Sequence, residues 1–211
     1  LSVKAVLWDF GGVILSSPFE AFAHYERANG LPDGFLRKVN SLNHHDNAWA
    51  KLERNEVGFE QFCSLFEAEA LELGHKVDAA AVVALLRGDV RPEMVEAVRR
   101  CKERCKTALI TNNFVSPEGG VGLDEVLRLF DVIIESSKAG VRKPDPRVYR
   151  MACDALEVEP HEAVFLDDLG INLKPAREMG MHTIKVVDPA DALAQLEAVV
   201  GFPVRSSGSL R

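Results

Sequence analysis

The sequence predicts an α/β protein, a doubly wound and mostly parallel sheet interrupted by an inserted helical subdomain. Three observations lead there. Five short apolar runs, at residues 3–8, 107–110, 131–134, 163–166 and 183–187, are spread along the chain; runs of this kind suit strands covered on both faces of a parallel sheet. Stretches with helix start and stop signals lie between the later runs, the alternation that builds α/β folds. Between the first and second runs, about 70 residues carry helical periodicity and no strand pattern.

Taken in order, each element has its own signal. After the first run, Phe19, Phe22, Ala23 and Glu26 fall on one helical face, and Phe59, Phe62, Cys63, Phe66 and Ala70 form a second apolar stripe. Both read as the core of a small helical bundle. Arg91-Pro92-Glu93-Met94 opens a helix towards Glu103. Asp145-Pro146 supplies an N-cap and a first-turn proline for a helix through Leu156. A helix is expected over 174–179, stopped by Gly180; Asp188-Pro189 starts the last one, and Gly201 follows its end. The expected organisation is an α/β core of residues 1–16 and 89–202, a helical cap of residues 17–88, and a flexible tail at 203–211, rich in Ser and Gly.

Composition narrows the function classes. The chain has 211 residues, 47% of them hydrophobic and 27% charged, ample apolar content for a core. No apolar stretch approaches the roughly 20 residues of a membrane-spanning helix. A net charge of −7 lacks the footprint of a nucleic-acid binder. Leu1-Ser2-Val3-Lys4 shows no secretory signal pattern. Cys63, Cys101, Cys105 and Cys153 make no zinc pattern, and buried thiols in a reducing, cytoplasmic compartment are expected.

The chemistry is expected beyond the carboxyl ends of the strands, where open parallel sheets bind ligands. The first run leads into Asp9-Phe10-Gly11-Gly12, the second into Thr111-Asn112-Asn113, and the fourth into Asp167-Asp168-Leu169-Gly170; Lys143-Pro144-Asp145-Pro146 follows the third. Three carboxylates, a hydroxyl, amides and one ammonium would converge there. Mg²⁺ with a substrate phosphate gives such a set a purpose, since Mg²⁺ takes one or two carboxylates plus phosphate and water. Thr111, Asn112 and Lys143 can donate to phosphate oxygens, and an aspartate can attack phosphorus to form an aspartyl phosphate. Asp9-Phe10-Gly11 is no kinase signature, for no Gly-rich loop precedes it. Gly119-Gly120-Val121-Gly122 lacks the Lys of a P-loop and reads as a mobile loop near the site.

The order Asp9, Thr111, Lys143, Asp167-Asp168 resembles the four signature motifs of the haloacid dehalogenase (HAD) superfamily, and the helical insertion resembles its cap of the first type. The resemblance spans residues 3–202. Ile133-Ile134-Glu135-Ser136, Lys143-Pro144-Asp145-Pro146 and the stretch from Phe165 to Lys174 are most similar to the N-terminal modules of soluble epoxide hydrolases and of acyl-CoA dehydrogenase-family fusion proteins. The resemblance implies Asp9 as nucleophile and Mg²⁺ ligand, the Gly11 carbonyl as a second ligand, and Asp168 as a direct one, with Asp167 reaching the metal directly or through water. It further implies Thr111 and Asn112 on the phosphoryl group, Lys143 neutralising Asp9 and phosphate, and Asn172 in the outer part of the site. The implied activity is Mg²⁺-dependent hydrolysis of a small phosphomonoester.

One departure stands out. Phosphatases of the superfamily usually carry an acid–base Asp two residues after the nucleophile, where this chain has Gly11. His24, His44, His45 and Asp46 are the sequence's candidates to stand in. Two alternatives remain open: a 2-haloacid dehalogenase, which works without metal, and a degenerate module that binds a phosphorylated ligand.

Overall fold

The computed structural model describes residues 3–86, 88–114 and 123–206. Five strands, β1 (Ala5–Trp8), β2 (Lys106–Thr111), β3 (Val132–Glu135), β4 (Ala163–Asp167) and β5 (His182–Lys185), form one sheet in the order β3-β2-β1-β4-β5. Every pairing is parallel. The central strands β1 and β4 are buried at every position, which is why their sequences lack polar alternation. Their side chains instead divide between two layers, as the two-residue repeat of a strand requires. Val6, Trp8, Val164 and Leu166 face one apolar cluster; Ala5, Leu7, Ala163 and Phe165 face the other.

Helices fill both layers. Five of them, α1 (Pro18–Ala28), α2 (Phe35–Ser41), α3 (Ala48–Glu53), α4 (Phe59–Glu72) and α5 (Ala79–Ala84), occupy the insertion that follows β1. Next come α6 (Pro92–Lys102), α7 (Asp124–Leu127), α8 (Ser136–Ala139), α9 (Pro146–Leu156), α10 (Gly170–Glu178) and α11 (Pro189–Val200). Residues of α6 and α11 cover the Val6 and Trp8 face, and residues of α9 and α10 cover the Ala5 and Leu7 face. A doubly wound α/β sheet is therefore what the chain forms. Asp145 caps α9 by accepting from Arg147 N at 2.9 Å, and Asp188 caps α11 through Asp191 N at 3.0 Å.

The helices α1 to α5 bury a third cluster of their own, with Phe22, Trp49, Phe62 and Phe66 among its members. Buried Glu26 on α1 is its polar exception. It accepts from Gly34 N at 2.9 Å and Leu36 N at 2.8 Å, and so supplies the start of α2 with the cap that Gly34 lacks. The segment enters and leaves through one narrow place. Leu15 and Val90 form an antiparallel bridge, and Ser16 N donates to Asp89 O at 2.8 Å.

Three expectations need correction. Strand β3 lies one residue later than the apolar run, because the Asp131 side chain turns back to accept from Thr107 N and Oγ1. Helix α10 starts at Gly170, not at 174. The beginning of the expected tail is docked: Val204 is fully buried beside α11, and Val204 N and Arg205 N donate to Glu197 Oε1 at 2.9 and 3.0 Å. The rest of that tail, residues 207–211, and Gly119-Gly120-Val121-Gly122 lie outside the described residues. Among the described residues no helix is long and apolar enough to cross a membrane.

Candidate active site

The carboxyl ends of β1, β2 and β4 deliver Asp9, Thr111, Asn112, Asp167 and Asp168 to one edge of the sheet, and the loop after α8 delivers Lys143. Lys143 is the hub. Its Nζ lies 2.6 Å from Asp9 Oδ1 and 2.8 Å from Asp167 Oδ2, with the ammonium side chain only 1% exposed. Asp9 Oδ1 also accepts from Phe10 N at 2.6 Å. That oxygen is committed twice, which leaves Oδ2 as the oxygen available for chemistry.

Asp167 has no such freedom. Its Oδ1 accepts from Leu169 N at 2.8 Å, Asn172 Nδ2 lies 3.0 and 3.1 Å from its two oxygens, and Lys143 takes Oδ2. Asn172 is held in turn, its carbonyl accepting from Tyr149 Oη at 2.6 Å. Asn172 thus orients Asp167, and Asp167 orients Lys143.

Asp9, Asp167 and Asp168 each bring a carboxylate oxygen within 4.8 Å of the others. Burial is the first cause holding the Asp9 carboxyl well above its ordinary range, and Asp167 and Asp168 add to it against the pull of Lys143. Asp168 is pushed up to about 6, again by burial first and by Asp167 second. Burial acts against the Lys143 ammonium, but Asp167 and Asp9 more than compensate and keep its pKa raised. Three carboxylates against one ammonium leave a site short of positive charge. The donors are all oxygens, the set that suits Mg²⁺.

Two backbone details shape the floor. Gly12 has φ +77°, and a Cβ there would stand 2.4 Å from Asp168 Oδ2; the bare glycine is what lets Asp168 approach the loop after β1. Arg91 Nη1 fixes that loop by donating to Gly12 O at 2.7 Å. Gly11, by contrast, has φ −68° and ψ 132°.

Asn112 has a different first task from the expected one. Its Oδ1 accepts from Lys143 N at 2.8 Å and its Nδ2 donates to Lys143 O at 3.0 Å, so its side chain clamps the Lys143 backbone. Thr111 lines the cavity beside it. Asn113 ties the loop to β3 and α8 through Glu135 and Ser137.

Over these groups lies a cavity of about 290 Å³, roofed by Phe19, Phe22, Trp49 and Glu53 of the helical segment. Its size is at the low end for small-molecule sites. His24, His44, His45 and Asp46 do not line it. His24 is exposed, and His45 belongs to a separate depression with Arg54 and Arg147. The residues that sequence reasoning missed are Glu53 and Arg142. Both line the cavity, with Arg142 Nε 2.6 Å from Glu53 Oε2. Arg142 could have been noticed as the neighbour of Lys143; nothing in the sequence singles out Glu53.

A sequence model of haloacid dehalogenase-like hydrolases matches residues 3–180. The chain belongs to this family. It is 35% identical to acyl-CoA dehydrogenase family member 10 of Mus musculus, over 96% of this chain and 20% of that protein. It is 32% identical to bifunctional epoxide hydrolase 2 of Sus scrofa, over 100% of this chain and 41% of that protein. This HAD-like chain therefore spans a fifth to two fifths of these longer relatives. A phosphatase of Mycobacterium tuberculosis (strain CDC 1551 / Oshkosh) is 32% identical over 88% of each chain. Among solved structures, a HAD family enzyme of Bacteroides thetaiotaomicron in complex with magnesium and inorganic phosphate superposes with TM-score 0.59, at 18% identity over 87% of this chain and 94% of that one. L-2-haloacid dehalogenase of Xanthobacter autotrophicus superposes with TM-score 0.60, at 19% identity over 99% and 84%. At these identities the two structures share the HAD-like fold with this chain, and their different chemistries stay their own.

Proposed function

We propose that this HAD-like hydrolase is a Mg²⁺-dependent phosphatase of small phosphomonoesters that works through an aspartyl phosphate on Asp9. The observation that carries the reading is the charge balance of the site: three carboxylates within 4.8 Å of one another and a single ammonium among them. The residues fit Mg²⁺. Asp9 and Asp168 would hold it directly, with the Gly11 carbonyl completing the protein's share. Asp167, whose oxygens are already engaged, would reach it through water. When bound, the ion neutralises negative charge on the phosphoryl oxygens.

The chain's own groups do the rest. Asp9 Oδ1 is pinned by Lys143 and Phe10 N, which aims the carboxylate before substrate arrives. Asp9 attacks phosphorus, and Lys143 offsets the charge that builds up on the transferring group. Thr111 and the backbone N–H of Asn112 hold the phosphoryl oxygens, while the Asn112 side chain keeps Lys143 in place. Residues 17–88 act as the cap that closes the cavity over residues 1–16 and 89–202 and excludes water. All four cysteines are free thiols, which suits a reducing, cytoplasmic setting. The similarity to a mycobacterial phosphatase over most of both chains supports the same reading. A metal-free dehalogenase would have no use for Asp168 as a second uncompensated carboxylate.

Purified protein is expected to release phosphate from phosphomonoesters with Mg²⁺ and to stop with chelator. Asp9→Asn, close to isosteric, is expected to lower turnover by about 10⁴-fold or more while the thermal melt stays cooperative. Halide release from a 2-haloacid that chelator leaves untouched would move the chain to dehalogenase chemistry. Phosphate binding without turnover of either class would make it a ligand-binding module.

A further inference from the structure

An aspartyl-phosphate route needs two proton transfers, and the loop after β1 has no side chain at Gly11 to make them. Some other group has to reach the leaving oxygen. Among the described residues, the titratable groups that line the cavity are Asp9, Glu53, Arg142, Lys143 and Asp168. Asp9 is the nucleophile, Asp168 lies in the carboxylate cluster, and the two cations hold no proton that they release readily. Glu53 is what remains.

Its placement suits the task. Trp49 and Glu53 stand four residues apart on α3 and both line the cavity, so the face of the helix that turns towards the site ends in a carboxyl group. The Glu53 side chain is 14% exposed. Its Oε2 is buried, and Arg142 Nε stands 2.6 Å from it. Buried carboxyl groups shifted by their surroundings gather where chemistry needs them.

We propose that Glu53 gives a proton to the leaving oxygen and then takes one from the attacking water, the work for which Gly11 has no side chain. This rests on the phosphatase reading above. In the first step the Asp9 oxygen bonds to phosphorus, and the bond from phosphorus to the leaving oxygen breaks. That oxygen keeps the electron pair and receives the Glu53 proton, which yields the alcohol. In the second step water bonds to phosphorus and loses a proton to the Glu53 carboxylate. The bond from phosphorus to Asp9 breaks, so phosphate leaves, Asp9 is again a carboxylate and Glu53 is again protonated.

Electrostatics supports both halves of this cycle. Burial is the largest influence on the Glu53 carboxyl and raises its pKa; Arg142 opposes most, followed by Lys143 and by Arg54 beside it. A carboxyl raised by burial and restrained by cations can hold a proton in one step and lose it in the next.

The test compares para-nitrophenyl phosphate, whose leaving group needs no proton, with ethyl phosphate, whose leaving group does. Glu53→Gln is expected to slow ethyl phosphate turnover by about 10²–10⁴-fold. With para-nitrophenyl phosphate the same variant is expected to give a burst of one nitrophenol per enzyme and then slow turnover, as the aspartyl phosphate accumulates. Gly11→Asp added to Glu53→Gln is expected to restore ethyl phosphate turnover, since a Cβ on Gly11 meets nothing closer than Pro18 Cδ at 3.9 Å. Equal losses on both substrates without a burst, a change in KM alone, or no recovery with Gly11→Asp would overturn the proposal and leave Glu53 as a residue that positions Arg142. Unchanged turnover in Glu53→Gln would overturn it as well. A failure of the phosphatase reading is separately visible, because the wild type would then release phosphate from neither substrate and both ideas would fall.

Discussion

Gly11 and Gly12 are neighbours with opposite constraints. Gly12 sits at φ +77° with Asp168 Oδ2 2.4 Å from where a Cβ would be, whereas Gly11 is extended and a Cβ there would meet Pro18 Cδ at an ordinary 3.9 Å. Gly12→Ala is therefore expected to pay about 1–2 kcal/mol of backbone strain and to displace Asp168, lowering both the melting temperature and the affinity for Mg²⁺ measured by calorimetry. Gly11→Ala is expected to leave stability unchanged or to raise it by up to about 1 kcal/mol, since the backbone already suits an L-residue. Equal effects from the two would mean that the close approach of Asp168 does not shape the site. The sequence marked Gly11 and did not show that the constraint falls on Gly12, because φ belongs to the folded loop. It marked Asp9 and Asp167-Asp168 better, because charged groups directly after apolar strands stand out, and Lys143 through the prolines of Lys143-Pro144-Asp145-Pro146. Asn112 was legible as a polar residue at a strand end, and its partner, the Lys143 backbone, was not.

At the scale of elements, what could be read from the chain depended on whether the signal was local. The caps Asp145 and Asp188 act within two or three residues, and the sequence places α9 and α11 by them. The start of β3 depends on Asp131 bonding back to Thr107, a contact across two strands that local pattern cannot show. The segment after α11 makes the same point more strongly. Polar and small residues at its end suggest looseness, yet Val204 is fully buried and Glu197 gathers the backbone of Val204 and Arg205. Val204→Ala is expected to cost about 1–2 kcal/mol, from two methyl groups at ~0.8 kcal/mol each plus a small cavity. Glu197→Ala is expected to cost about 1 kcal/mol through the lost backbone bonds. Urea denaturation measures both, and a loose tail would give no change in either.

The whole molecule is two packed bodies, a sheet with helices on both faces and a five-helix bundle, whose buried residues fall in separate clusters. They meet over the cavity, and Arg142 ties them there. It pairs with Glu53 at the end of α3, and its Nη1 donates to His44 O at 2.8 Å, while Lys143, its neighbour in sequence, holds Asp9. One residue of the chain therefore faces the bundle and the next faces the nucleophile. Breaking a buried ion pair from one side usually costs 3–5 kcal/mol, about what an isolated buried charge loses. Here the side chains of Arg142 and Glu53 are 18% and 14% exposed, and a carboxyl without its guanidinium can take up a proton, so Arg142→Ala is expected to cost only about 2 kcal/mol in urea denaturation. Glu53→Gln/Arg142→Ala should then cost less than the two single changes added together, with a coupling of about 1 kcal/mol. Additive costs would mean that the pair does not join the two bodies. The same variant bears on the proton cycle. Arg142 is the strongest influence opposing the burial of Glu53, so its removal raises the carboxyl pKa further. In Arg142→Ala the acid form of Glu53 is then kept to higher pH, and the alkaline limb of ethyl phosphate turnover should move in that direction. An alkaline limb that stays in place while stability falls would separate the two roles of Arg142 and leave it with the mechanical one.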